Sequence, residues 1–269
     1  MVNLISAGQT CYSGTFDVGD FSIEVAMQTQ KGIKPVNQDS FGISYENGRL
    51  RLVVADGASS RSNAEYASAI AVKEYCSVMG DLRQQAHNAN SAIIEGKDSL
   101  QLLKIPVTTV AVLDLEGKRT RGFSLGDSRI YCHQRDLYLL KQLTRDHKYG
   151  PYKERLEGVS ATEREHKCIT LYLGNQMFDE VLTLFETVMD IRTDWAFDLK
   201  PSQTYLLCTD GLYHKIPILD VEPWLQMVLA RTQPLTDIVQ TLIEEALDEG
   251  TRDDITIALA RVKTKNTMN

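Results

Sequence analysis

The sequence predicts an α+β layered sandwich, and three observations predict it. Short β-branched or aromatic runs recur along the chain, punctuated by Gly or charged turns. Several of the connections are tight, as antiparallel neighbours require. Long helical segments fall between groups of strands without strict strand–helix alternation, which disfavours a doubly wound parallel sheet.

Taken in order, Phe21 to Thr29, Ser40 to Tyr45 and Leu50 to Ala55 read as strands, and the Asn-Gly in Glu46-Asn47-Gly48 joins the last two as a hairpin. Asn63 to Met79 reads as a helix, with Ala69, Val72, Cys76 and Met79 on one face, and a more polar helix is expected between His87 and Leu103. Val107 to Leu115 and Arg119 to Leu125 are strands linked at Glu116-Gly117-Lys118. Arg129 to Cys132 is another, turning back around His133 to Asp136, and Tyr205 to Thr209 follows later. Leu235 to Leu247 is a helix with Ile238, Leu242 and Ala246 on one stripe and a stop at Gly250, and Arg252 to Thr256 opens the last strand. Lys148 to Lys167 is polar, charged and interrupted by Gly150-Pro151, so it reads as an excursion from the sheet and not as a domain boundary. A single domain over residues 1–269 is expected.

Composition narrows the function. At 269 residues with 43% hydrophobic and 24% charged, the chain suits a soluble globular protein with a sizeable core. A net charge of -7 argues against gripping nucleic acid by its backbone, and some of that acid reads as ligand carboxylates. No apolar run reaches the ~18 residues of a membrane span, and no secretory leader is evident. Five cysteines, an odd number with no Cys-x-x-Cys pair, fit reduced thiols and place the protein by default in the cytoplasm.

The chemistry lies in aspartates at strand ends. Asp56 closes Leu52-Val53-Val54-Ala55 and is followed by Gly57; the design returns at Tyr205 to Gly211, ending in Asp210. An apolar strand ending in Asp-Gly puts a carboxylate at the rim of a sheet beside a bare backbone, which suits a hard cation that takes oxygen ligands. Alone, each would be an ordinary turn. Asp39 before a strand, Asp127 between two strands and Asp253 opening the last one repeat the placement.

These pieces resemble the metal-dependent protein serine/threonine phosphatases of type 2C, bacterial members in particular. The resemblance is carried in order by Lys34-Pro35-Val36-Asn37-Gln38-Asp39, Val54-Ala55-Asp56-Gly57, Thr108-Thr109, Gly126-Asp127-Ser128-Arg129-Ile130-Tyr131, Leu143-Thr144-Arg145-Asp146-His147, Leu207-Cys208-Thr209-Asp210-Gly211-Leu212 and Asp253-Asp254-Ile255-Thr256. It implies a four-layer α-β-β-α sandwich, two antiparallel sheets flanked by helices, with a binuclear Mg2+ or Mn2+ site in the cleft. Carried over by motif, Asp56 bridges both metals, the Gly57 carbonyl binds one, Asp210 and Asp253 complete the other's shell, and Asp39 sits at or just behind them. Asp127 matches a residue that helps hold a third, weaker ion. Asp56 and Asp210 are thereby the catalytic carboxylates. Residues 148–174 correspond to a flap beside the cleft. The substrates implied are phosphorylated proteins, the protein being the counterpart of a Ser/Thr kinase acting on it or on its targets, with no nucleic acid and no membrane. Two metals ~3.5–4 Å apart can activate one shared water and clamp the phosphoryl oxygens.

The chain also departs from that pattern. Lys34 stands where the family has an Arg that forks onto substrate phosphate, so it keeps the charge but loses the bidentate geometry. Gln38 replaces a Glu, Ala58-Ser59-Ser60 replaces a glycine-rich stretch, and Asp254 replaces an Asn, leaving the choice between Asp253 and Asp254 to be made by motif alignment, which selects Asp253. These departures motivate an alternative: a catalytically weak phosphatase-fold module that binds or regulates. A haloacid-dehalogenase-type hydrolase needs a second Asp two residues after the first; Gly57 and Ala58 follow Asp56 here.

Overall fold

The structure, a computed structural model, describes residues 2–5, 10–58, 63–162, 168–187 and 192–265. The strands are β1 (Val2–Ile5), β2 (Cys11–Val18), β3 (Phe21–Gln30), β4 (Asp39–Glu46), β5 (Arg49–Asp56), β6 (Val110–Glu116), β7 (Arg119–Leu125), β8 (Arg129–Gln134), β9 (Leu139–Gln142), β10 (Asp194–Asp198), β11 (Gln203–Cys208) and β12 (Ile255–Thr264). The helices are α1 (Ala64–Ser77), α2 (Leu82–Ser99), α3 (Tyr149–Glu157), α4 (Phe178–Thr187), α5 (Ile218–Leu229) and α6 (Leu235–Asp248). One sheet runs β1-β4-β5-β6-β7-β10 and the other β2-β3-β12-β11-β8-β9. All neighbours in both sheets are antiparallel.

Alternation within the strands builds the layers. Phe41, Ile43, Leu50, Leu52, Val54, Leu113 and Leu115 of the first sheet meet Ile23, Val25, Met27, Ile130, Leu207, Ala258 and Ala260 of the second in a dry core between the sheets. The outward residues Val53, Ala55, Val110, Val112 and Phe123 are covered by α1, α2 and α4. On the other side Leu206, Cys208, Ile257 and Leu259 lie beneath α5 and α6. Burying each of the Val, Leu, Ile, Phe and Met side chains among them contributes roughly 1.5–3 kcal/mol. The result is the α-β-β-α sandwich expected from the sequence.

Three expectations shift. The buried face of α1 is Ala64, Ala67, Ser68, Ala71, Val72, Tyr75 and Cys76; Ala69 is exposed and Met79 lies beyond the helix. The expected strand from Val107 starts only at Val110, because Thr108 leaves that ladder and instead bridges Gly57 on one side and Leu173 on the other. Helix α2 begins earlier than expected, since Asp81 caps it by accepting N–H bonds from Arg83 and Gln84 (3.1 and 2.9 Å).

A buried polar cluster holds α1 over its sheet. Arg51 on β5 is fully buried and lies opposite Asp114 on β6. Its Nη1 donates to the carbonyls of Tyr75 (2.9 Å) and Val78 (3.1 Å), at the end of α1. Its Nη2 reaches Asp114 at 3.1 Å, and Arg49 Nε donates to both oxygens of the same carboxylate (2.9 and 3.0 Å). Two guanidinium groups thus depend on one buried anion.

Candidate active site

Every acidic residue singled out from the sequence lies at the same rim of the sandwich. In the β4–β5 ladder Asp39 stands opposite Asp56. Asp210 begins a short 3-10 turn directly after β11, and Asp253 lies just before β12, the strand paired with it. Asp127 occupies the crossover from β7, in the first sheet, to β8, in the second. The first sheet therefore supplies Asp39 and Asp56, the second Asp210 and Asp253, and the link between them Asp127.

Neighbouring hydroxyls and close backbone contacts fix these carboxylates. Thr209 donates through Oγ1 to Asp39 (2.7 Å) while accepting the Thr256 N–H (2.9 Å). Asn37 accepts the Asp39 N–H (3.0 Å) and donates to Thr29 (2.8 Å). Thr108 Oγ1 donates to the Asp56 carbonyl (2.8 Å), and Thr109 Oγ1 accepts the Asp56 N–H (3.2 Å). The threonine pair thus holds the backbone of Asp56 from both sides. A Cβ on Gly57 would sit 2.3 Å from the Ala64 carbonyl oxygen, and one on Gly211 1.9 Å from that of Asp254, so both Asp-Gly steps are required by packing.

Electrostatically the centre is short of positive charge. Burial, and then the charges of Asp39, Asp210, Asp127 and Asp253, push Asp56 well above the ordinary carboxylate range. Asp39 is raised the same way, burial first, against the opposing bonds from Thr209 and Thr256. Asp210 is raised by burial and by Asp253, partly offset by a hydrogen bond from Asp56. Without a cation, then, burial and mutual repulsion disfavour full ionisation of Asp56 and Asp210.

Two lysines flank this group. Lys34 Nζ lies 2.5 Å from Asp253 Oδ1 and 3.7 Å from Asp254. Burial lowers the affinity of Lys34 for its proton, but the bond to Asp253 and the charges of Asp253, Asp254 and Asp56 together outweigh it and the pKa is raised. Asp254 is spent on the backbone, accepting the N–H groups of Gly32 (2.8 Å) and Gln38 (2.9 Å), while Asp253 remains partly open to the cleft. Lys148 Nζ lies 3.2 Å from Asp127 and 3.5 Å from Asp146. Asp146 in turn takes the fork of Arg129 at 2.9 and 2.8 Å, and that guanidinium stacks 3.7 Å from the Tyr213 ring centre. Gln38 sits beside the rim, its main chain bonded to Asp254, Gly57 and Ser68. Ser59 and Ser60 lie outside the described residues.

The residue types fit hydrated Mg2+ or Mn2+. Among the described residues no three His, Cys, Asp or Glu side chains already close around one point. Mg2+ retains several waters and takes only one or two carboxylates. Clustered, mutually repelling carboxylates beside a tightly approached glycine backbone meet that requirement. Residues not foreseen as contributors are Thr209, Thr256 and Lys148. The two threonines read locally as β-branched strand residues; nothing local marks Lys148.

The histidines stand apart from this chemistry. His147 is fully buried, and its Nδ1 accepts the Gly126 N–H at 3.0 Å. Burial lowers its pKa from 6.5 to about 4. The folded value lies below the unfolded one, so the unfolded chain binds the proton first. The contribution of a neutral His147 is whole above about pH 6.5 and declines as pH falls toward 4, with about 2 kcal/mol gone at pH 5. Urea unfolding at pH 7.5 and 5.0 should show a larger loss for the wild type than for His147→Gln; equal losses would assign the linkage elsewhere. His87 pairs with Asp179 (3.1 Å), and His214 lies beside the Asp210 carbonyl (3.3 Å).

The fold and this rim define a class, the metal-dependent protein phosphatases. The family profile for Protein phosphatase 2C matches residues 30–250; the chain belongs to that family, whose members are protein serine/threonine phosphatases using Mn2+ or Mg2+. The match stops short of Asp253, so that residue rests on motif and structure. The protein phosphatase PhpP of Streptococcus pneumoniae is 27% identical over 256 residues, covering 88% of this chain and 96% of the relative. The serine/threonine phosphatase stp of Listeria monocytogenes is 28% identical over 252 residues, covering 86% and 93%. Among solved structures, the serine/threonine phosphatase of S. agalactiae superposes with a TM-score of 0.72 at 22% identity, over 90% of this chain and 100% of that one. The catalytic domain of the phosphatase PstP, solved with 2 manganese ions, does so with a TM-score of 0.67 at 25% identity, over 90% and 98%.

Proposed function

We propose that this chain hydrolyses phosphoserine and phosphothreonine in proteins with two bound Mn2+ or Mg2+ ions, acting as one phosphatase domain with the described parts of the 148–174 segment, residues 148–162 and 168–174, flanking the cleft. The observation that carries the reading is the convergence of Asp39, Asp56, Asp210 and Asp253 at one rim of the two sheets. Asp56, Asp210 and Asp253, with Asp39 and the Gly57 carbonyl, would hold the ions. Metal bound there would activate water and neutralise phosphoryl charge during in-line displacement.

The chain's own residues orient the rest. Thr108 and Thr109 fix the Asp56 backbone, and Thr209 fixes Asp39. Asp254 ties the 32–38 segment down, which sets Lys34 at the cleft mouth. There its ammonium can turn from Asp253 to an incoming phosphate once that carboxylate is taken up by a cation. The cysteines are all free thiols, in keeping with action in the cytoplasm on the targets of a Ser/Thr kinase, or on the kinase. No helix among the described residues is long and apolar enough to cross a membrane.

The test is hydrolysis of p-nitrophenyl phosphate and a phosphothreonine peptide with Mn2+, with Mg2+ and with chelator. Turnover should require metal, and Lys34→Met should lower kcat/KM on the peptide by roughly 10- to 100-fold, the worth of a charge-assisted hydrogen bond. Metal-independent turnover defeats the proposal. Manganese binding with no turnover at any concentration would favour the weak regulatory module, a reading that the close Lys34–Asp253 pair supports.

A further inference from the structure

Lys148 is held in an unusual place for a surface amine. Its backbone is clamped on both sides: the preceding His147 donates N–H to the Gly126 carbonyl (2.9 Å), and the following Tyr149 donates to that of Cys168 (2.8 Å). Lys148 itself bridges Ile169 across this short ladder, in an extended conformation just before α3. The ammonium is thereby delivered beside Asp127, a residue only 4% exposed. Asp127 Oδ2 is its partner at 3.2 Å, and Asp127 Oδ1 has no hydrogen-bond partner among the described residues. The other carboxylate there, Asp146, is already committed to the Arg129 fork.

Asp127 and Asp146 thus face Lys148 and Arg129, while the charge of Asp210 also bears on Asp127. Asp127 differs from Asp56 and Asp210 in having an ammonium at salt-bridge distance, whereas Lys148 and Lys34 offset the charge of Asp210 only from farther away. We infer that Lys148 is the resident cation of the Asp127 pocket and that its tethered ammonium keeps a divalent ion out of it. The inference rests on the proposed metal-holding role of the neighbouring aspartates. A divalent ion at Asp127 would have to lie within a few Å of the ammonium, in a partly buried setting where water screens poorly. The free Oδ1 remains an acceptor for a single water or hydroxyl.

Lys34 presents the opposite case. Its partner Asp253 is partly open, and the 32–38 segment carrying it is held through Asp254 and not by the ammonium contact. That contact can be given up to metal. The Lys148 contact lies over a carboxylate with almost no solvent surface, on backbone pinned at both neighbours.

Manganese titration of the full chain, read by the electron paramagnetic resonance of free Mn2+, counts the ions bound without reference to activity. Lys148→Gln should gain one weaker Mn2+ site over the wild type, Lys148→Arg should gain none, and adding Asp127→Asn to Lys148→Gln should erase the gain. Independently of how Lys148→Gln folds, Asp127→Asn alone should leave the wild-type ion count unchanged. Loss of an ion in Asp127→Asn, or an unaltered count in a Lys148→Gln protein with wild-type circular dichroism, overturns the inference and leaves the phosphatase reading standing. A wild type that binds no manganese instead sinks the phosphatase reading.

Discussion

Asp56→Asn is expected to lower kcat/KM on a phosphothreonine peptide at saturating Mn2+ by about a thousandfold or more, equivalent to about 4 kcal/mol of barrier. Asp56 is the carboxylate on which the charges of Asp39, Asp210, Asp127 and Asp253 all bear. The substitution preserves shape and the backbone bonds from Thr108 and Thr109, so the loss isolates the charge. The same change removes a repulsive group from the metal-free cluster. In chelator the variant should therefore unfold at a higher temperature than the wild type, an active-site carboxylate being kept at the expense of stability. Steady-state kinetics with and without Mn2+, beside thermal unfolding in chelator, measures both. Activity within tenfold of wild type would remove Asp56 from the centre of the chemistry.

The second large effect concerns stability alone. Asp114→Asn should destabilise the fold by about 3–5 kcal/mol, because Arg49 and the fully buried Arg51 would lose their shared counter-ion. Those guanidinium groups also cap the carbonyl end of α1. The other end of α1 approaches Gly57, so the variant should also show weakened metal binding. Urea unfolding should show a lower midpoint with an unchanged slope. A loss below about 1 kcal/mol would mean that the helix-end carbonyls alone sustain both arginines.

Local sequence made Asp56, Asp210 and Asp253 visible because each touches an apolar strand directly, and the hairpin at Asn47-Gly48 emerged for the same reason. The structure then sorted what adjacency could not. Asp253 and Asp254 are neighbours of identical chemistry, and only the positions of Gly32 and Gln38, more than two hundred residues earlier, separate their tasks. Lys148 was illegible because its partner Asp127 comes from a different connection. Helix α5 is hidden in the sequence because Pro223 lies inside it and reads as a break. Strand β10 is short and mostly exposed, so it lacks the buried run that marks β11. The face of α1 was misplaced because alanines offer little contrast, and its true stripe includes Ser68, which bonds to the Gln38 carbonyl.

Thr108 belongs to two ladders at once, pairing with Gly57 on one side and Leu173 on the other. Its N–H and carbonyl both bond to Leu173, while its hydroxyl bonds to the Asp56 carbonyl. The end of the 148–174 segment is thus stitched to the backbone that carries the central carboxylate, and Leu171 and Leu173 pack under the α1–α2 layer. For protein engineering this sets a graft boundary. A loop exchanged with a relative at positions 148 and 168 would leave the stitch intact, whereas one exchanged through 174 would replace half of it. The segment is a swappable cassette only up to that seam; beyond it, choosing a new loop also means choosing a new seat for Asp56.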